Sequence, residues 1–180
     1  MNRFKRNKLL DLLLASLFLA AMVISTSWFA DRASIAYHGM PRVIDGDSVL
    51  LDGVEIRLIG IDAPEIGQIC FKQGSEFDCG NVAKNHLENL IGNGRVKCDG
   101  WQTDRYDRLL ANCSRDGLDL NGLMVKDGWA VAYGAYENEE LIARNSNTGL
   151  WETRFVKPQD WRQNNQNEDA PDWLERIKFW

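Results

Sequence analysis

Two turn signals set between apolar runs restrict this chain more than any other feature. Asp52-Gly53 separates residues 42–51, rich in Val, Ile and Leu, from residues 54–61. Asp-Gly in that setting is a strong signal for a tight hairpin. Further on, residues 95–101 and 108–113 flank Asp104-Arg105-Tyr106-Asp107, a second turn. Between the hairpins Ala83, Leu87, Leu90 and Ile91 recur at helical spacing until Gly92-Asn93-Gly94 stops them. Residues 62–71 read as a loop, and residues 120–127 and 137–145 as short helices. Strands paired in hairpins and interrupted by one helix suit a small closed barrel better than an open parallel sheet, in which strand and helix alternate throughout. The expected class is α+β with a mainly β core: a five-stranded barrel of the OB type with flanking helices.

Cys70, Cys79, Cys98 and Cys113 permit three pairings, and none has the CxxC spacing of a metal site. In an oxidising compartment two disulfides are expected. If Arg105 and Tyr106 form a two-residue tip, residues whose numbers total 211 face each other, Cys98 and Cys113 among them. Facing Cβ atoms lie about 5 Å apart, close enough for a bond after modest adjustment. Cys70 and Cys79 then close a short loop.

The N-terminus carries Arg3, Lys5, Arg6 and Lys8, followed at residues 12–30 by nineteen residues without formal charge. That is close to the ~20 needed to span a bilayer, and basic flanks stay on the cytoplasmic side. Residues 1–30 are therefore expected to be a signal-anchor or a signal peptide cleaved near Ser25-Thr26-Ser27. Both readings place the remainder outside the cytoplasm, in the periplasm if the cell is Gram-negative. The expected organisation continues with a linker at 31–40, one domain over 41–162, and a polar tail over 163–180.

Of 21 basic and 26 acidic residues, four basic and one acidic fall within residues 1–30, leaving 17 against 25 and a net charge of −8. A protein gripping nucleic acid over a long footprint needs a basic surface to displace counterions. An enzyme touching one or two phosphates does not, so charge weighs against a binding module more than against a phosphodiester hydrolase.

Three polar clusters carry the chemistry: Asp45-Gly46-Asp47-Ser48, then Arg57 through Asp62-Ala63-Pro64-Glu65, then Asp104-Arg105-Tyr106-Asp107-Arg108. Each alone is ordinary turn chemistry. Asp45 and Asp47, two apart, are expected on one face of a strand, offering hard oxygen ligands. Arg57 and Asp62 have opposite parity, so the strand must bulge or end before Asp62, which Gly60 and the extended conformation that Pro64 imposes on Ala63 allow. His38 and His86 read as surface residues, and no Ser-His-Asp set, P-loop or zinc spacing appears.

In this order the clusters resemble the thermonuclease family, of the staphylococcal nuclease type, over about residues 41–161. Leu120-Asn121-Gly122-Leu123-Met124-Val125, Gly128-Trp129-Ala130, Gly149-Leu150-Trp151, Pro158 and Trp161-Arg162 match as well. The cysteines resemble those of its secreted bacterial branch. The resemblance implies an OB-fold, one Ca²⁺ and cleavage of DNA and RNA. It implies that Asp47, Asp62 and the Ala63 carbonyl ligate calcium with Asp45 close behind, and that Glu65 activates or orders the attacking water. Arg57 and Arg108 would hold the scissile phosphate, where guanidinium forks match two oxygens. Arg105 and Tyr106 would contact substrate, with Tyr133 or Tyr136 stacking on a base. Asp107 departs from the family's glycine and sets a negative charge beside Arg108. No small-molecule cofactor is implied, and the protein is expected to be a monomer. The alternative is a catalytically weak domain of the same fold that binds nucleic acid or a protein or envelope partner.

Overall fold

The computed structural model describes residues 3–30 and 35–168. The chain divides into two compact units that part between Ile35 and Ala36. In the first, helix α1 covers Arg3–Ala30. Its apolar side chains over residues 10–25 are exposed, Leu17 and Phe18 each at 70%. Among the described residues no helix is long and apolar enough to cross a membrane, so the spanning helix expected over residues 12–30 is not shown; the side chains of residues 26–30 lie outside the described ones.

In the second unit a seven-stranded sheet is built from β1 (Ile35–Gly39), β2 (Arg42–Val43), β3 (Ser48–Leu51), β4 (Val54–Leu58), β8 (Val96–Thr103), β9 (Leu109–Arg115) and β10 (Leu118–Asp119). Its order is β1-β8-β9-β4-β3-β2, with β10 also on β9. No ladder joins β1 to β2 among the described residues, so the expected closed five-stranded barrel is instead a curled half-barrel of seven strands. The added edge strand β1 comes from residues read as linker. The pairs β2–β3, β3–β4, β8–β9 and β9–β10 are antiparallel, whereas β4 and β9 run parallel from Ile56 opposite Leu109.

The inward sides of these strands alternate as a half-buried sheet requires. Val49, Leu51, Ile56, Leu58, Val96 and Ala111 are buried with Leu87, Leu120 and Met124 from the helices. Helix α2 (Cys79–Ile91) begins where the Asp78 carboxylate accepts from the Asn81 N–H, and it buries Ala83, Leu87 and Ile91 along one stripe. Helix α3 (Leu120–Lys126) is tied to the sheet by Asn121, fully buried. Its amide accepts from Cys113 N–H at 3.0 Å and donates to the carbonyls of Ile59 at 2.9 Å and Ala111 at 3.1 Å.

Three local expectations need correction. Residues 62–71 are not all loop: β6 (Ile69–Lys72) pairs with β7 (Ser75–Asp78) about a two-residue turn, with Gln73 at φ 51° and Gly74 at φ 84°. Positive φ at both central residues matches the twist of a tight hairpin. Residues 163–168, expected to open the polar tail, belong instead to helix α5 (Pro158–Glu168); residues 169–180 lie outside the described ones. Proline at the first helical position and Asp160 in the first turn are its sequence signals.

The third correction concerns the second hairpin, whose tip holds three residues because Asp104 N–H bonds to the Arg108 carbonyl at 2.9 Å. Gln102 therefore faces Leu110 and Thr103 faces Leu109. A bulge between Gly100 and Gln102 then absorbs one residue and restores Cys98 opposite Cys113. Both expected disulfides, Cys98–Cys113 and Cys70–Cys79, are present.

Candidate active site

Asp45, Gly46 and Asp47 do not continue the first strand as expected. They form a tight turn between β2 and β3, in which the Asp45 carboxylate accepts from the Asp47 N–H at 3.0 Å. Asp45 is thus spent on shaping the loop, as short acidic side chains in turns do. Asp47 points inward and is only 3% exposed. Its Oδ2 accepts from Ala63 N–H at 2.9 Å and its Oδ1 from Ser48 Oγ at 3.1 Å. Burial is the largest influence on this carboxyl, and although Arg57 opposes it, the pKa is pushed up to about 7.

Arg57 lies on β4 opposite Ser48. Strand β4 ends at Leu58 and, after Gly60 at φ 83°, a short strand β5 (Ile61–Asp62) resumes, which is the break that residue parity demanded. Asp62, 1% exposed, thereby comes within reach of Arg57. The guanidinium donates from Nη1 to Asp47 Oδ1 at 2.7 Å and from Nη2 to Asp62 Oδ1 at 2.8 Å. Burial pulls the Arg57 pKa down, but the two carboxylates together outweigh it and the net shift is upward.

Glu65 follows on the loop. Its N–H donates to Gln68 Oε1 at 3.2 Å, and fully buried Gln68 donates from Nε2 to the Val156 carbonyl at 2.7 Å. Helix α2 approaches this loop so closely that a Cβ on Gly80 would lie 1.8 Å from the Glu65 carbonyl oxygen. No side chain is compatible with that approach. Onto the same cluster α5 brings Arg162, which the sequence reading did not single out as a site residue. Its Nη1 donates to Asp62 Oδ1 at 2.9 Å and Glu65 Oε1 at 2.7 Å, and its Nη2 to Asp62 Oδ2 at 3.0 Å. Burial lowers the Arg162 pKa, but the bonds to Asp62 and Glu65 outweigh it and raise it.

At the hairpin tip Asp104 organises the turn. Its Oδ1 accepts from the N–H groups of Tyr106 and Arg108 at 2.8 and 3.1 Å, and its Oδ2 from Arg108 Nη2 at 2.7 Å. Burial raises the Asp104 pKa, but the Arg108 side chain and these N–H groups outweigh it and the net shift is downward. Asp107 stands at φ 63° and is exposed; the carboxylate that pairs with Arg108 belongs to Asp104. Arg105 and Arg108 lie over the Tyr106 ring, at 4.8 and 5.4 Å from its centre.

These elements surround a cleft of about 670 Å³ lined by Arg57, Glu65, Arg105, Tyr106, Arg108, Tyr133 and Arg162. Tyr133 reaches it because β11 (Val131–Ala132) pairs with β5, and Tyr133 N–H bonds to the Gly60 carbonyl at 2.9 Å. Tyr136 does not line it. It stands at φ 69° just before α4 (Glu137–Asn145), packed on the core beside Gly60 and Gly122, so packing rather than stacking accounts for it. His86 pairs with Asp127 at 2.9 Å, away from the cleft.

The donor chemistry suits a hard cation, since Asp45, Asp47, Asp62 and Glu65 bring carboxylates and Ala63 a carbonyl. Arg57 and Arg162 already pair with three of these carboxylates, those of Asp47, Asp62 and Glu65. Among the described residues, however, no three His, Cys, Asp or Glu side chains gather into a metal cluster.

A curled, mainly antiparallel sheet with flanking helices, and a cleft whose Arg57 is bonded to two buried carboxylates, define a domain of the OB class with a charged polar centre. The family model described as staphylococcal nuclease homologue matches residues 55–153, and the chain belongs to that family. It is 31% identical over 121 residues to the succinoglycan biosynthesis protein ExoI of Rhizobium meliloti (strain 1021), covering 63% of each chain. It is 33% identical over 138 residues to an uncharacterized endonuclease of Escherichia coli O157:H7, covering 69% of this chain and 84% of that one. A probable staphylococcal-like nuclease of Oryza sativa subsp. japonica, CAN1, is 32% identical over 145 residues, 77% of this chain and 41% of the rice protein. The chain thus spans less than two thirds of the rhizobial and rice relatives.

Proposed function

We propose that the protein is a calcium-dependent nuclease that hydrolyses phosphodiester bonds of DNA, RNA or both by water attack. The observation that carries this reading is a cleft lined by Arg57, Glu65 and Arg108, with Arg57 bonded to the buried carboxylates of Asp47 and Asp62, in a chain of the nuclease family. Asp47, Asp62 and the Ala63 carbonyl would hold the cation, with Asp45 behind them. When bound, it lowers the pKa of water and offsets phosphate charge. Glu65 at the cleft takes or orients the proton of the attacking water. Arg57 and Arg108 stabilise the charge that develops on the phosphoryl oxygens. Arg105, Tyr106 and Tyr133 contact the flanking nucleotide, the aromatic rings by stacking.

We place the enzyme outside the cytoplasm, a reading supported by the two disulfides and by the uncharged run at residues 12–30. That run would serve either as an anchor or as a cleaved signal.

Protein lacking residues 1–30, incubated with single-stranded DNA and single-stranded RNA at pH 8 to 9, is expected to release fragments with calcium and none with a chelator. One observation favours a second reading, a weak enzyme that mainly binds a nucleic-acid or envelope partner: Arg57, Arg108 and Arg162 are all paired with carboxylates of the chain. Binding without calcium-dependent cleavage would select it.

A further inference from the structure

Glu65 is held from two directions by one late segment of the chain. Gln68 links its backbone N–H to the carbonyl of Val156, and Arg162, in the helix that follows, bonds its side chain. The guanidinium also grips both oxygens of Asp62 as a fork, so a residue 97 positions after Glu65 and 100 after Asp62 fixes their two carboxylates relative to each other. Arg162 occupies Glu65 Oε1, and no partner of Oε2 is found among the described residues. Both side chains line the cleft. A glutamate side chain turns about several bonds, and a proton acceptor works only within hydrogen-bond reach of its proton. A planar fork shared between two carboxylates removes that freedom in a way a point charge does not.

We propose that Arg162 is a positioning residue of the active site, fixing Glu65 against Asp62 so that one carboxylate oxygen meets the attacking water. The assignment rests on the nuclease reading, and it makes the segment from Val156 through α5 part of the working site. Arg162 acts through Glu65, which separates it from an arginine that merely holds the fold or binds phosphate.

The test is a double-mutant cycle on the full chain with single-stranded DNA and calcium: wild type, Arg162→Ala, Glu65→Gln and the pair. The expected result is that Arg162→Ala lowers kcat on the order of 100-fold, the scale of a misplaced catalytic group, with KM within about threefold. The pair is expected within about threefold of Glu65→Gln alone, because an interaction already lost cannot be lost twice. Losses that multiply in the pair, a rise in KM without a fall in kcat, or Arg162→Ala cleaving like wild type would overturn the proposal while leaving the nuclease reading standing. Absence of cleavage by wild type removes the nuclease reading and the proposal with it, and is recognised from that sample alone. Thermal melting of each variant checks the fold. If Arg162→Ala is unfolded at the assay temperature, Arg162→Lys carries the same cycle, with the charge kept and the fork lost.

Discussion

Replacing Arg57 by alanine removes the group that joins the two most buried carboxylates of the site. The Asp47 and Asp62 side chains are 4% and 1% exposed, and Arg57 is 17% exposed, so water cannot take over its two bonds at 2.7 and 2.8 Å. A hydrogen bond to a charged group contributes about 1.5 to 3 kcal/mol, and breaking a buried ion pair by removing one partner costs about 3 to 5 kcal/mol. Arg162 still grips Asp62, so the uncompensated charge falls chiefly on Asp47 and the lower end, about 3 kcal/mol, is expected. At about 3 °C per kcal/mol for a domain of this size, the melting temperature drops by roughly 9 °C at pH 8. Arg57 holds the Asp47 pKa down, so without it the carboxyl protonates more readily and the deficit shrinks as pH falls toward 5. Calcium, by supplying positive charge, should also recover part of it. Calorimetric melting of wild type and Arg57→Ala at pH 5 and pH 8, with and without calcium, measures each quantity. A drop under about 2 °C at pH 8, or one equal at both pH values, would refute the argument that Asp47 depends on this guanidinium.

Other perturbations read other parts of the site. In wild type the Asp47 pKa is raised from 3.8 to about 7, so between those values the folded state holds more proton than the unfolded one. Metal-free stability should therefore fall as pH rises from about 4 to about 7, and apparent calcium affinity, measured by titration calorimetry, should weaken up to tenfold per pH unit below 7. Glu65→Gln and Arg108→Ala are each expected to slow cleavage at least ~100-fold with melting temperature little changed; wild-type rates in either would sink the roles given to them. Gly80→Ala should displace the Glu65 loop and lower activity and melting temperature together, because its Cβ would fall 1.8 Å from the Glu65 carbonyl oxygen. Opening Cys98–Cys113, which closes a separation of 15 residues, should cost about 3 kcal/mol, read from denaturant unfolding of a Cys98→Ser, Cys113→Ser variant.

Local rules carried the sequence reading where structure is made by neighbours. The Asp-Gly turn, the apolar stripe of Ala83, Leu87 and Ile91, and the break between Arg57 and Asp62 all follow from steric preferences that act within a few residues. Facing positions in a hairpin follow from the turn, and the Cys98–Cys113 bond was legible for that reason. Even there the tip was one residue longer than read, and the bulge before Gln102 brought the cysteines back into register. The turn at Asp45 escapes the strand pattern because its decisive bond, from Asp47 N–H to the Asp45 carboxylate, uses the side chain and leaves apolar alternation undisturbed. What only the tertiary structure decided was the company each charge keeps. Helix α5 has no apolar stripe to announce it, yet it delivers Arg162 to Asp62 across 100 residues of chain. Buried charge must be matched wherever a partner can reach in space, and that constraint leaves no period in the sequence.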